Sequence, residues 1–464
     1  MDSNSTTSSA CLANGHSAGA GAGGSNGVGN GPSSSSSSHA QTQVPKRLYS
    51  VSAPPPSLAA FRALCTQSTS RETYPHASAV VSNIPIYDLP EYPDLPAAAD
   101  GGFVMDELQD EWHHILLSGP GVVVLRNFSP DRELLERVNA VFADIIAGEA
   151  ARGGAGQGQG QGGDHFAARG SNARIWNSFQ KHAERDPVSF ARYYANPYLA
   201  AMCAAWLGPG YQITAQVNVV RPGGKPQVPH RDYHLGFQSA ESCALYPAAT
   251  QVATQFLTLQ GAIAHSDMPR ASGPTRLLPF SQQFAPGYMA YRLAEFQAFF
   301  AQNWVTVDLA MGDALFFNPA LFHAAGENTT RHIHRSANLL QVSSAFGRTM
   351  ETVDTLAVIA SCWDEVTRLY VDDGAGAAAG GDKTQLQTGT RVDAILNAIG
   401  NGYPFPTNLD RRPPAPGGMA PENEVDVLRK ALLEGWDVER VVRAITAIRR
   451  DSMAQIRRPK EQSK

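Results

Sequence analysis

"VPHRDYHLGF", Val228 to Phe237, places two histidines and an aspartate within five residues, with a glycine and an aromatic close behind. On a strand, side chains alternate between faces, so His230, Asp232 and His234 share one face. The Cα atoms of His230 and Asp232 then lie roughly 6.6 Å apart. That separation lets an imidazole and a carboxylate converge on one metal ion. Alone, a His-x-Asp pair is a weak signal, since a hydrogen-bonded turn or a surface pair produces the same pattern.

About ninety residues further on comes "GDALFFNPALFHAAGEN", Gly312 to Asn328. Gly312-Asp313 reads as a turn, Ala314 to Phe317 as a strand and Asn318-Pro319 as a second turn. His323 follows an apolar pair and meets Ala-Ala-Gly, which leaves close backbone space around it. Arg335 then opens "RSANLLQVSS", another strand-like run. Two histidines and one carboxylate form the facial triad of non-haem Fe(II) oxygenases, which leaves three coordination positions open. A keto acid chelates through two of them and O2 takes the third. The far carboxylate of that acid needs a fixed cation, and the planar fork of arginine binds a carboxylate bidentately.

The rest of the chain sets the frame. Of 464 residues, 43 % are hydrophobic and 17 % charged, enough apolar material for a large core. The net charge of −5 gives no reason to expect nucleic acid or an anionic membrane as a partner. No run approaches the ~18 apolar residues of a membrane span. The first twenty residues carry no pattern of a secretory or mitochondrial leader, and the terminal Gln-Ser-Lys is not a peroxisomal address. The five cysteines form no Cys-x-x-Cys pair, which fits a reducing compartment and a cytoplasmic location. Residues 1 to about 45 are Ser, Gly, Ala and Asn and are expected to be disordered. Val51 to about Pro96 is proline-dotted and expected to wrap the surface in extended form, so residues 1–99 form a tail and ordered structure is expected from near Asp100. Met105–Leu117 has helical spacing, Val122–Leu125 reads as a strand, and Ser129 reads as the cap of a helix running to about Ile146. A Gly/Gln-rich insertion covers 153–163, and a helix pair is expected around Asp186 to Trp206. From Tyr211 to about Phe346 short β-branched and aromatic runs alternate with turns, the texture of an all-β barrel or jelly roll. Residues 347–464 return to helical spacing, with a Gly/Ala-rich loop at 374–381 and a last helix from Glu422 to about Ile456.

Five stretches resemble the phytanoyl-CoA dioxygenase family of Fe(II)/2-oxoglutarate oxygenases. They are "GVVVLRNF" at Gly121, "NVVRPGGKPQVPHRDYH" at Asn218, "SGPTRLLPFSQ" at Ser272, "GDALFFNPALFHAAGEN" at Gly312 and "RSANLLQ" at Arg335. The resemblance implies an α+β fold, a double-stranded β-helix (jelly-roll, cupin-like) core over residues 100–346 with helices on either side. It implies Fe(II) as cofactor, held by His230, Asp232 and His323. It implies 2-oxoglutarate and O2 as cosubstrates, with Arg335 on the far carboxylate of the keto acid and succinate and CO2 released. Halogenating relatives replace the aspartate with a small residue, so Asp232 predicts hydroxylation or a related oxidation. Two features depart from the family. Pro279-Phe280-Ser281-Gln282 stands where Pro-Gly-Ser-His is frequent, and His323 and Arg335 are one residue further apart than usual, which calls for a small bulge between them.

Other residues carry weaker expectations. Asn218 opens the strand before the triad and is a candidate donor to 2-oxoglutarate. His234 is a candidate for the pocket wall or for substrate contact. Tyr233 faces away as core, and Arg231 is expected in a structural ion pair on the opposite face. Arg331, in a turn, is the lesser alternative to Arg335. His265, His332 and His334 are read as structural. Asp164–Lys181 follows the glycine-rich insertion and reads either as a surface loop or as a lid, with Arg174 and Trp176 sharing one face toward substrate. The ligand is a small molecule, and acyl-CoA, a secondary metabolite and an amino acid all stay open, as does the oligomeric state. The rival functions are a non-catalytic jelly-roll binding protein and a hydrolase using the metal as a Lewis acid. Dependence of turnover on 2-oxoglutarate and O2 separates them.

Overall fold

The computed structural model describes residues 46–50, 54–90, 103–153, 172–373, 386 and 388–453 apart from 404, 406 and 417. The tail at 1–45, the glycine-rich loop at 374–381 and nearly all of the insertion at 153–163 lie outside these residues, as do residues 164–171 of the expected lid. The strands are β1 (Ala79–Val81), β2 (Ile84–Asp88), β3 (Val122–Arg126), β4 (Asn172–Ile175), β5 (Tyr211–Val220), β6 (Thr258–Ala264), β7 (Arg276–Leu277), β8 (Ala314–Phe317), β9 (His323–Ala324) and β10 (Arg335–Ser344). Eight of them form one sheet in the order β1-β2-β3-β8-β6-β10-β5-β4, and β7 pairs with β9 in a second. Single bridges extend the second sheet on both sides, Val305 to Leu277 and His230 to His323. The class is α+β.

Alternation along the strands sorts the main sheet into two faces. On one, Ile213, Ala215, Val217, Leu340, Val342, Leu259, Ile263 and Phe316 pack under helices that include Phe103–Leu117, Pro187–Tyr194, Pro197–Leu207, Thr355–Asp372 and Arg391–Ile399. The other face is split. Towards β1, Ile84, Ile86, Val122, Val124 and Leu315 form an apolar layer with Leu277 and Leu321. Towards β4 the same face turns polar, and there the site lies.

The expected helix at 105–117 and strand at 122–125 are present, the latter buried along Val122–Leu125. Several expectations differ from the structure. The N-terminal stretch is no extended wrap. Leu58–Cys65 is a helix, and Phe61 is fully buried among Phe284, Phe296, Phe299 and Phe322. β1 and β2 add two strands to the main sheet well before Asp100. Phe61→Ala is therefore expected to cost about 3–5 kcal/mol, measured by denaturant unfolding; an unchanged midpoint would show that the helix only decorates the surface. Asp131, not Ser129, caps the third helix, accepting from the Leu134 N–H at 2.9 Å. The Ser129 N–H goes to the Gly312 carbonyl instead. That helix runs on to Gly153, beyond Ile146. The aromatics at 287–303, which read as strand, sit in helices Gly287–Ala290 and Ala294–Asn303. Phe296, Phe299 and Phe300 share one helical face at i, i+3 and i+4. The last helix is two, Glu424–Leu433 and Val438–Ser452. Gly435 takes φ +65° just past the first, the left-handed exit that glycine makes cheaply.

Candidate metal and keto-acid site

His323 opens β9, and His230 sits opposite it with both backbone bonds exchanged: His230 N–H to His323 O at 2.9 Å and His323 N–H to His230 O at 3.1 Å. This pairing sets the two imidazoles side by side, ring centres 4.5 Å apart. Two residues on, the Asp232 N–H bonds the Pro319 carbonyl, which fixes the carboxylate over both rings. Asp232 Oδ1 lies 3.5 Å from His230 Nε2 and Oδ2 lies 3.4 Å from His323 Nε2. One donor atom from each of the three lies within 4.8 Å of the others.

The donor chemistry fits a metal. His230 Nδ1 sits 2.8 Å from the Val228 carbonyl and His323 Nδ1 2.9 Å from that of Leu321. A carbonyl only accepts, so each Nδ1 carries the proton and each Nε2 presents its lone pair inward. Burial pulls the His230 pKa down against the pull of Asp232 in the other direction, which favours the neutral, ligating imidazole. Burial alone would raise Asp232, but His230, His323 and the Gln260 amide outweigh it and hold the carboxyl far below the usual range. Gln260 Nε2 donates to Asp232 Oδ2 at 2.5 Å.

The triad opens into a cavity of about 500 Å³ whose wall is the polar half of the main sheet. Arg335, first residue of β10, is buried in this wall, and among the described residues no acceptor engages its guanidinium. Burial lowers its pKa to about 10, so it stays charged at neutral pH. Arg331 is exposed. The extra residue between His323 and Arg335 is taken up in the loop from 325 to 334, tied by Asn328 Nδ2 to the Val220 and Ile333 carbonyls, so no bulge interrupts either strand.

Asn218 lies far along β5 instead of opening it, in register with Arg174 on β4 and Ala337 on β10. It lines the cavity, and its buried Oδ1 has no partner among the described residues. Arg174 lines the same wall, donating to Gln216 Oε1 at 2.9 Å, with its guanidinium 5.2 Å from the Trp176 ring centre. It stands on a paired strand, and residues 178–185 beyond it are a helix, so residues 172–181 are no lid. Trp176 sits in the turn after β4, outside the cavity lining. His234 is outside it as well, because Tyr233 and His234 take φ of +63° and +42° and end the strand-like alternation after Asp232. Tyr233 is core as expected, its hydroxyl donating to Gln341. His265 is buried between Tyr193 and Asn139, a structural role. Gln260 was invisible in the sequence. Its one signal is a lone carboxamide in the apolar run "TLQGAIA" of β6.

Residues 118–337 match the family model for phytanoyl-CoA dioxygenase (PhyH), and the triad, Arg335, Asn218 and Arg174 all fall inside that span. The chain thus carries a domain of the phytanoyl-CoA dioxygenase family. No curated protein matches the chain in sequence. Among solved structures it is similar to SnoK, a non-haem alpha ketoglutarate dependent carbocyclase from nogalamycin biosynthesis, with 18 % identity over 52 % of this chain and 86 % of that one, TM-score 0.38. SnoN, the epimerase of that biosynthesis, gives 16 % over 52 % and 84 %, TM-score 0.35. AviO1 from Streptomyces viridochromogenes Tue57 gives 16 % over 48 % and 90 %, TM-score 0.35.

Proposed function

We propose that this chain is an Fe(II)- and 2-oxoglutarate-dependent dioxygenase that hydroxylates or otherwise oxidises a small organic substrate and releases succinate and CO2. One observation carries the reading: a two-histidine, one-carboxylate cluster and a buried arginine with no acceptor among the described residues open into the same cavity. On this reading the strands of residues 100–346 form a double-stranded β-helix to which β1 and β2 add an edge, residues 347–464 are a helical extension, and the enzyme works in the cytoplasm without nucleic acid or membrane as partner. No helix among the described residues is long and apolar enough to cross a membrane.

His230, Asp232 and His323 hold the iron through the two Nε2 atoms and the carboxylate. Bound Fe(II) supplies the means to reduce O2 while the keto acid is oxidatively decarboxylated. Arg335 binds the far carboxylate of 2-oxoglutarate and so fixes which end of it reaches the triad. Asn218 offers a carboxamide to the same ligand. Gln260 holds the Asp232 carboxylate in one orientation. The sheet wall limits water at the reacting atoms.

The test is succinate release by anaerobically iron-loaded protein screened against small molecules, with and without O2 and 2-oxoglutarate. Turnover that ignores either cosubstrate would end the reading. Arg174 makes a narrower prediction. Its cation faces the cavity, so it serves an anionic group on the substrate. Arg174→Ala is expected to lower product formed per succinate released by roughly tenfold, the loss of one charge-assisted contact, while metal binding holds. Product and succinate matched at the wild-type ratio would remove Arg174 from the substrate site.

A further inference from the structure

Arg231 stands between two of the three candidate metal ligands, yet its side chain turns away from the cavity into the protein, where it is 2 % exposed. The structural ion pair expected of it is absent: among the described residues no carboxylate lies within ion-pair distance. Its Nη2 donates instead to the Ser281 carbonyl at 2.7 Å and the Phe284 carbonyl at 3.0 Å, with that of Gln282 at 3.5 Å. Its guanidinium carbon lies 5.2 Å from the ring centres of both Tyr288 and Phe322.

An arginine buried without an anion is costly, and well-packed apolar residues would fill such a space more favourably. What it holds together explains it. Ser281, whose carbonyl Arg231 grips, also accepts the Phe322 N–H on its Oγ at 2.8 Å. Phe322 immediately precedes His323 and stacks on the guanidinium directly. Tyr288, the other ring beside the guanidinium, donates its hydroxyl to the Asp232 carbonyl at 3.2 Å. The segment bearing His230 and Asp232 and the segment bearing His323 are thus fastened to one cation from behind. Gly287 is shaped to it: a Cβ there would lie 1.8 Å from the Arg231 guanidinium carbon.

We propose that Arg231 is a positioning residue that keeps His230 and Asp232 in register with His323, so that metal affinity depends on a cation that never touches the metal. This rests on the iron reading above. Lysine is a point charge without the planar fork, so it cannot grip the carbonyls and lie against the rings at once.

The test uses the full chain and anaerobic Co(II) titration followed by the visible absorption of the bound ion, with circular dichroism and thermal melting in parallel. Arg231→Met and Gly287→Ala, the latter displacing the guanidinium without deleting it, are each expected to weaken Co(II) binding about 10- to 100-fold, the usual loss when a group behind a ligand is removed. The absorption band should change shape, and Arg231→Lys should fall between these variants and wild type. If Arg231→Met fails to fold, Gly287→Ala decides. Variants that bind Co(II) as wild type does, with an unaltered band, overturn the proposal. So does a loss of affinity in Gly287→Ala that merely follows loss of native secondary structure. Wild-type protein that takes up no Co(II) overturns the iron reading, and this proposal with it.

Discussion

His230→Ala is expected to bring succinate formation down to background and to abolish saturable Fe(II) or Co(II) binding, while the melting temperature stays within a few degrees. The first half follows from the donor count. Two protein donors remain of three, and both flank a cavity open to water. The second half follows from the backbone. His230 is fixed by the bonds its own N–H and C=O exchange with His323 at 2.9 and 3.1 Å, and truncating the side chain keeps both. The side chain keeps 27 % of its surface exposed and lines a cavity, so its removal leaves no closed void in the core. Full activity in this variant would end the assignment of the metal site. Unfolded protein would mean that the imidazole serves the fold, not the ligand set.

The second large effect is on the keto acid. Arg335→Ala is expected to raise the 2-oxoglutarate concentration needed for half-maximal succinate release by about 10- to 150-fold, the equivalent of a charge-assisted contact worth ~1.5–3 kcal/mol. Co(II) affinity should not fall, because Arg335 is not a donor in the triad. Arg331→Ala is the control. Arg331 is exposed in the loop before β10, so its removal should leave the requirement unchanged. If Arg331→Ala raises it and Arg335→Ala does not, the role of keto-acid anchor passes from β10 to the loop. Burial holds the Arg335 pKa near 10, so this affinity should be flat with pH across neutrality and decline only as pH rises toward that value.

What could be read early was local. A His-x-Asp pair, a second histidine beside small residues and an arginine at the head of a β-branched run announce themselves by residue type and spacing. The strands Val122–Arg126, Ala314–Phe317 and Arg335–Ser344 do so by short apolar runs between turns. The helix at Phe103–Leu117 does so by its period. The errors are also local in origin. Phe61 sits in a proline-dotted stretch that by composition has little to pack, yet it fills a gap among four phenylalanines brought from distant parts of the chain. Arg174 and Trp176 alternate as if both faced substrate, but the strand ends at Ile175, and Trp176 in the turn lies against the Arg174 guanidinium without lining the cavity.

The sequence by itself determined which side chains can ligate a metal and where several of the strands lie, because ligand chemistry and strand periodicity are carried by neighbours along the chain. Only the tertiary structure decided that His323 arrives opposite His230 and that Arg335 is buried where no carboxylate of the described residues meets it. The same holds for the lone carboxamide of β6 that bonds Asp232, and for Arg231, which turns from the cavity to fasten two ligand segments from behind. These depend on strand register and on which faces meet. Both are set by burying apolar area between residues tens to more than a hundred positions apart, a free energy that no short window of sequence contains.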